Sequence, residues 1–93
     1  MSPVRENLIA AKALIDTPEK WGQGKYKHDG CRCALVAVNH AGGGLPEMRA
    51  LQMAVPGRTG MVASFNDDPS TTHADIMALF DRAISSQPTG GAV

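Results

Sequence analysis

Residues 65–84 read FNDDPSTTHADIMALFDRAI, and this stretch decides the fold. Ile76, Leu79, Phe80, Ala83 and Ile84 recur at the spacing that places side chains on one face of a helix. Upstream lies Asp67-Asp68-Pro69-Ser70-Thr71-Thr72, a run that ends one conformation and starts another. Thr72 followed by Asp75 predicts a capping box, in which each side chain takes a backbone N–H that the first turn leaves unpaired. Ser70 and Thr71 are alternative caps one or two residues earlier. The carboxylates around this start also suit the positive end of a helix dipole.

The pattern extends toward the N-terminus. Ser2-Pro3 predicts a helix start, and Val4, Leu8, Ala11 and Ile15, widened by Leu14, form its apolar stripe. Pro18 disfavours a helical Thr17 and sets the stop near Asp16. A glycine-containing loop, GQGKYKHDG at 22–30, precedes a second apolar run, CRCALVAVNHA at 31–41, ended by Gly42-Gly43-Gly44. That run is expected to be a central helix, apolar around most of its circumference, with Asp29 as N-cap and Gly42 as stop. A buried strand over Val36-Ala37-Val38 is the alternative. A shorter helix starts at Leu45-Pro46-Glu47, with Met48, Leu51 and Val55 inward and Arg49 outward, and Pro56-Gly57 ends it. Met61 to Phe65 is expected to be extended. The expectation is a mostly α chain: one domain of about four helices over 1–84, one short extended segment near 61–65, and a flexible tail over 85–93.

Composition narrows the function classes. The 93 residues are 43% hydrophobic and 19% charged, which suits one globular core. Nine Lys plus Arg balance nine Asp plus Glu, so bulk charge gives no argument for nucleic acid or an anionic membrane. The charge is uneven, +3 over 20–32 and −4 over 66–81, and solvated faces account for it. No apolar run has the length of a membrane span, no secretory signal is visible, and Cys31-x-Cys33 is not a disulfide framework. A reducing cytoplasm is the expected setting, and no cofactor is expected.

Several motifs carry a resemblance. The Trp21-Gly22 pair, the Cys33-Ala34-Leu35 helix, the Phe65-Asn66-Asp67 turn and the last helix are similar to a family of small bacterial and phage proteins known as a domain of unknown function. The likeness covers about residues 8–84, with a C-A-L-x-A helix and a W/F-N-D turn. Where relatives have a glycine, this chain has Val36, which argues against a close backbone approach there being needed for activity. The resemblance implies a bacterial or mobile-element setting and no reaction.

Four constellations bear on chemistry. His28, Cys31, Cys33 and His40 supply zinc-ligand atoms, but Cys-x-Cys on a helix points its sulfurs apart, and the balance favours no metal. Cys33 with His40 or His73 as base, oriented by Asn66 or Asp67, has the residue types of a cysteine hydrolase; a buried core thiol is the ordinary alternative. Trp21, Lys25, Tyr26, Lys27 and Arg32 form an anion- or nucleotide-binding candidate near a helix start, although the Walker spacing is missing. A solvated loop with Trp21 plugging the core is the bland reading. Asn66-Asp67 is expected to bond its own backbone, with a polar hook tying the last helix to the 31–41 helix or to a partner as the alternative. Together these favour a non-catalytic interaction module acting on a protein partner or as a homo-oligomer. Met53 and Met77, off the main stripes, are candidates for exposed adaptable surface.

Overall fold

The structure is a computed structural model and describes residues 3–23, 33–58 and 61–87. Five α-helices follow in order: α1 Pro3–Leu14, α2 Ala34–His40, α3 Leu45–Ala54, α4 Val62–Asp67 and α5 His73–Ser85. Short 3-10 turns occupy Pro18–Lys20 and Pro56–Arg58, and the described residues contain no strand. The chain is therefore mostly helical, as its periodicity predicts.

α5 forms as its sequence dictates. Thr72 Oγ1 accepts from the Asp75 N–H at 3.2 Å, and Asp75 Oδ2 accepts from the Thr72 N–H at 2.9 Å. Both halves of the capping box are present, so Thr72 is the cap. Ile76, Leu79, Phe80 and Ala83 are buried, and Ile84 is half-buried against them. α1 packs on α2 and α5, α3 packs on α5, and α4 lies against α2 and α3. Leu8 and Ala11 from α1, with Ile15 just beyond it, share one core cluster with Ala37 and Val38 from α2, Leu51 from α3 and Phe80 from α5. A Lys12–Asp81 ion pair at 2.7 Å closes the α1–α5 edge.

Two expectations fail, for related reasons. α2 begins at Ala34, not near Cys31 under an Asp29 cap, and Cys33 is its extended N-cap residue with no side-chain cap bond. Asp29 and Cys31 lie outside the described residues. A cysteine offers no oxygen to the first turn; the Ala34 N–H instead donates to Asn66 Oδ1 at 3.1 Å. α2 is otherwise apolar over most of its surface, with only its last residues, Asn39 and His40, polar and exposed. Likewise, the segment expected to be extended over 61–65 is helical from Val62. The Val62 N–H donates to Gln52 Oε1 of α3 at 3.1 Å. Both short helices are thus capped by an amide side chain from elsewhere in the chain.

α2 stops where glycine predicts. Gly42 has φ +86°; its N–H donates to Asn39 O at 3.1 Å, and the Gly43 N–H donates to Val38 O at 2.9 Å. These are the paired bonds of a Schellman motif.

Candidate functional site

Asn66, in the last turn of α4, is only 1% exposed and uses its whole amide. Its oxygen accepts from Trp21 Nε1 at 2.8 Å as well as from Ala34 N–H. Its nitrogen donates to Gly22 O at 3.1 Å and to Asp67 Oδ1 at 2.9 Å. A primary amide offers two acceptor lone pairs and two donors, so the group is saturated. Gln23 reinforces the same junction: its Nε2 donates to Asn66 O and Asp68 O, each at 2.9 Å, with Thr71 O at 3.3 Å. The expected local role for Asn66 is therefore overturned: its side chain ties α4 to the start of α2 and to the Trp21-Gly22 segment, not the last helix to α2. The local turn belongs to Asp68, whose Oδ1 accepts from the Ser70 N–H at 2.8 Å and from Ser70 Oγ. Those two bonds hold the Asp68 carboxyl below its ordinary range.

Cys33 stands beside this hub at 6% exposure, a free thiol. With Leu35, Val36 and Ala63 it borders a hollow of about 260 Å³ that Asn66 and Asp67 also line. Three of the five residues of the hydrolase candidate, Cys33, Asn66 and Asp67, are thus brought together. The histidines are not on that lining. His40 is exposed in the last turn of α2, about 10 Å along the axis from Cys33 at the helical rise. His73, first residue of α5, has Nε2 at 2.8 Å from Ile15 O. A carbonyl only accepts, so that nitrogen carries a proton. Its ring lies against Trp21, with centroids 6.1 Å apart.

Among the described residues, no group of three or more His, Cys, Asp or Glu side chains is placed to hold a metal. His28 and Cys31 of the zinc candidate lie outside them, as do Lys25, Tyr26, Lys27 and Arg32 of the anion-binding candidate. Trp21, the remaining member of that candidate, is half-buried with its indole N–H committed to Asn66.

A second hollow, of about 280 Å³, opens between α2, α3 and α4. Leu45, Met48, Arg49 and Gln52 line it; their spacing i, i+3, i+4, i+7 is one face of α3. Leu35, Met61 and Val62 complete most of the wall. Leu45 is 77% exposed and Met61 69% exposed, although large apolar side chains are usually covered. The two hollows share Leu35 and Ala63, so they adjoin at these two side chains of α2 and α4. Of the methionines expected to be exposed, Met53 is exposed and Met77 is half-buried.

The sequence reading missed Gln23, Gln52 and Glu47. Glu47 alone carried a signal, standing three residues after Gly44 at the position from which a carboxylate reaches back to a helix start. Its Oε1 accepts from the Gly44 N–H at 2.7 Å, and its Oε2 accepts from Asn7 Nδ2 at 3.0 Å.

Fold and site together define a small helical domain locked by one buried amide and open along an apolar crevice. The chain belongs to a family of unknown function (DUF6197), whose model matches residues 1–86. No curated protein and no solved structure matches the chain. Among the described residues, no helix is long and apolar enough to cross a membrane.

Proposed function

We propose that this protein is a non-catalytic interaction module whose binding surface is the crevice between α2, α3 and α4. One observation carries the reading: Leu45 and Met61, both mostly exposed, flank an apolar hollow. Apolar side chains grouped around a depression are the usual anchor site for a partner's side chain. The saturated amide hub fits this role, since it holds α2 and α4 rigidly enough for the crevice to be preformed. The resemblance of its motifs supports a bacterial or phage setting, and the cysteine usage supports a reducing compartment.

A photo-crosslinking amino acid at position 61, introduced in the native host, tests the reading. A discrete protein adduct is expected, absent when the crosslinker is moved to Ser85 and lost in the Leu45→Asp variant. Absence of any adduct at position 61 would overturn it.

A cysteine-enzyme reading is favoured by one observation, the shared hollow of Cys33, Asn66 and Asp67. It requires a base to reach that hollow, and neither His40 nor His73 lines it. Nucleotide binding at 22–32 remains a third proposal, resting on Lys25, Lys27 and Arg32. It is tested by ligand-induced melting shifts in Lys25→Ala/Lys27→Ala.

A further inference from the structure

We propose that the occupant of the crevice is a segment of a different protein that carries a large apolar residue and, one helical turn away, an Asp or Glu. This rests on the interaction-module reading and specifies its partner. Leu45 and Arg49 are four residues apart on α3, so they project side by side along the wall. Among the described residues, Arg49 is the only ionisable group on the lining. It is exposed and makes no ion pair within the described residues. Gln52, the other polar lining residue, already caps α4 through Val62.

A partner whose apolar side chain enters between Leu45 and Met61 must also cover part of Arg49. Covering a guanidinium without a counter-charge leaves an unpaired ion away from water, which opposes binding. A carboxylate on the incoming segment removes that penalty and adds paired, directional hydrogen bonds that arginine makes better than lysine. The spacing follows from α3 itself: anchor and acid three or four residues apart on a helical partner. A second copy of this chain fits less well. A pairing of this face with itself supplies no acid for Arg49, since the described lining of either copy holds none.

The test pans a display library of random peptides, about twelve residues long, against the full chain. Enriched sequences are then measured as synthetic peptides by fluorescence anisotropy. The expected consensus holds a large apolar residue with Asp or Glu three or four positions away. Arg49→Glu should weaken that peptide at least about tenfold, and a peptide with Lys in place of its acid should recover binding to Arg49→Glu alone. Leu45→Asp should abolish binding to either. Peptides that need Leu45 but ignore Arg49→Glu would overturn the acidic requirement and leave the interaction-module reading standing. Failure to enrich peptides, or binding indifferent to Leu45→Asp, would overturn both. Sedimentation showing a dimer that Leu45→Asp dissociates would replace the foreign segment with a second copy.

Discussion

Trp21 and Asn66, 45 positions apart, share a hydrogen bond of 2.8 Å between the indole N–H and the amide oxygen. That oxygen is also the N-terminal cap of α2, through Ala34. One side chain thus joins the segment after α1, the start of α2 and the end of α4. This makes the crevice wall and the core a single mechanical unit.

Asn66→Ala should therefore cost far more than a surface turn residue would. It leaves the Trp21 N–H, the Ala34 N–H and Gly22 O without their partner, each a loss of order 1 kcal/mol or more. A total of about 3 kcal/mol is expected, read as a urea midpoint lowered by roughly 1–2 M. Asn66→Asp should also destabilise, because a carboxylate cannot donate to Gly22 O and stands beside Asp67. A cost below about 0.5 kcal/mol, typical of exposed sites, would mean the hub is dispensable.

The Cys33 thiol should react slowly while the chain is folded. In a Cys31→Ser background, alkylation in native buffer is expected to run at least about tenfold slower than in urea, since 6% exposure makes reaction wait for local opening. Alkylation as fast as in the unfolded chain would show an open sulfur and favour the cysteine-enzyme reading.

Glu47 gives a pH signature. Burial works to raise its pKa, but the Gly44 N–H and Asn7 bonds outweigh burial and leave the carboxyl below its ordinary value. A carboxyl depressed on folding stabilises above its unfolded pKa and loses that contribution as pH falls through the folded value. The stability advantage of wild type over Glu47→Gln should be fully present at pH 7 and shrink as pH falls from the unfolded carboxyl's pKa through the lower folded one. The measurement is paired urea titrations at each pH, in which acid effects common to both proteins cancel. A difference that stays constant with pH would mean the carboxylate charge contributes nothing there.

What the sequence disclosed and what it hid divide along locality. α5 was legible because its cap, stripe and stop are all written within a few residues: Thr72 pairs with Asp75, and Ile76 to Ala83 keep one period. α2 and α4 were not, since their first N–H groups are satisfied by Asn66 and Gln52 from 32 and 10 positions away. Nothing around Cys33 or Met61 announces a cap, so periodicity alone sets the start of α2 too early and leaves 61–65 reading as extended chain. For the same reason Asn66 reads as a turn residue: three of its four partners, Trp21, Gly22 and Ala34, stand 32 or more positions away. The gathering of Cys33, Asn66 and Asp67 could be named from residue types, but the position of the histidines relative to them could not. The crevice was half visible, because Arg49 and Leu51 read as outward and inward, whereas the exposure of Leu45 and Met61 depends on how α3 and α4 meet.

The α2 stop yields two neighbouring glycines whose substitutions should fail for different reasons. A Cβ on Gly43 would meet Val38 Cγ1 at 2.8 Å, Glu47 Cγ at 3.0 Å and Val38 O at 3.1 Å. Val38 is β-branched and buried, so its methyl has no spare rotamer to retreat to. Gly43→Ala is expected to cost about 2 kcal/mol by overpacking. Adding Val38→Ala should return part of that cost, making the pair less destabilising than the sum of its singles. The return is partial because the Val38 carbonyl remains in the way. At Gly42 the space is open, with nothing within 4 Å of the added carbon, but φ is +86°. Gly42→Ala should cost about 1 kcal/mol from backbone conformation alone, and Gly42→Asn less, since asparagine tolerates the left-handed region. Val38→Ala should not relieve it. Rescue of Gly43→Ala but not of Gly42→Ala, measured as urea midpoints of the six proteins, would establish that close packing holds one position and chain direction the other. Equal rescue, or none at either, would mean that α3 is not seated against α2 at this turn as described.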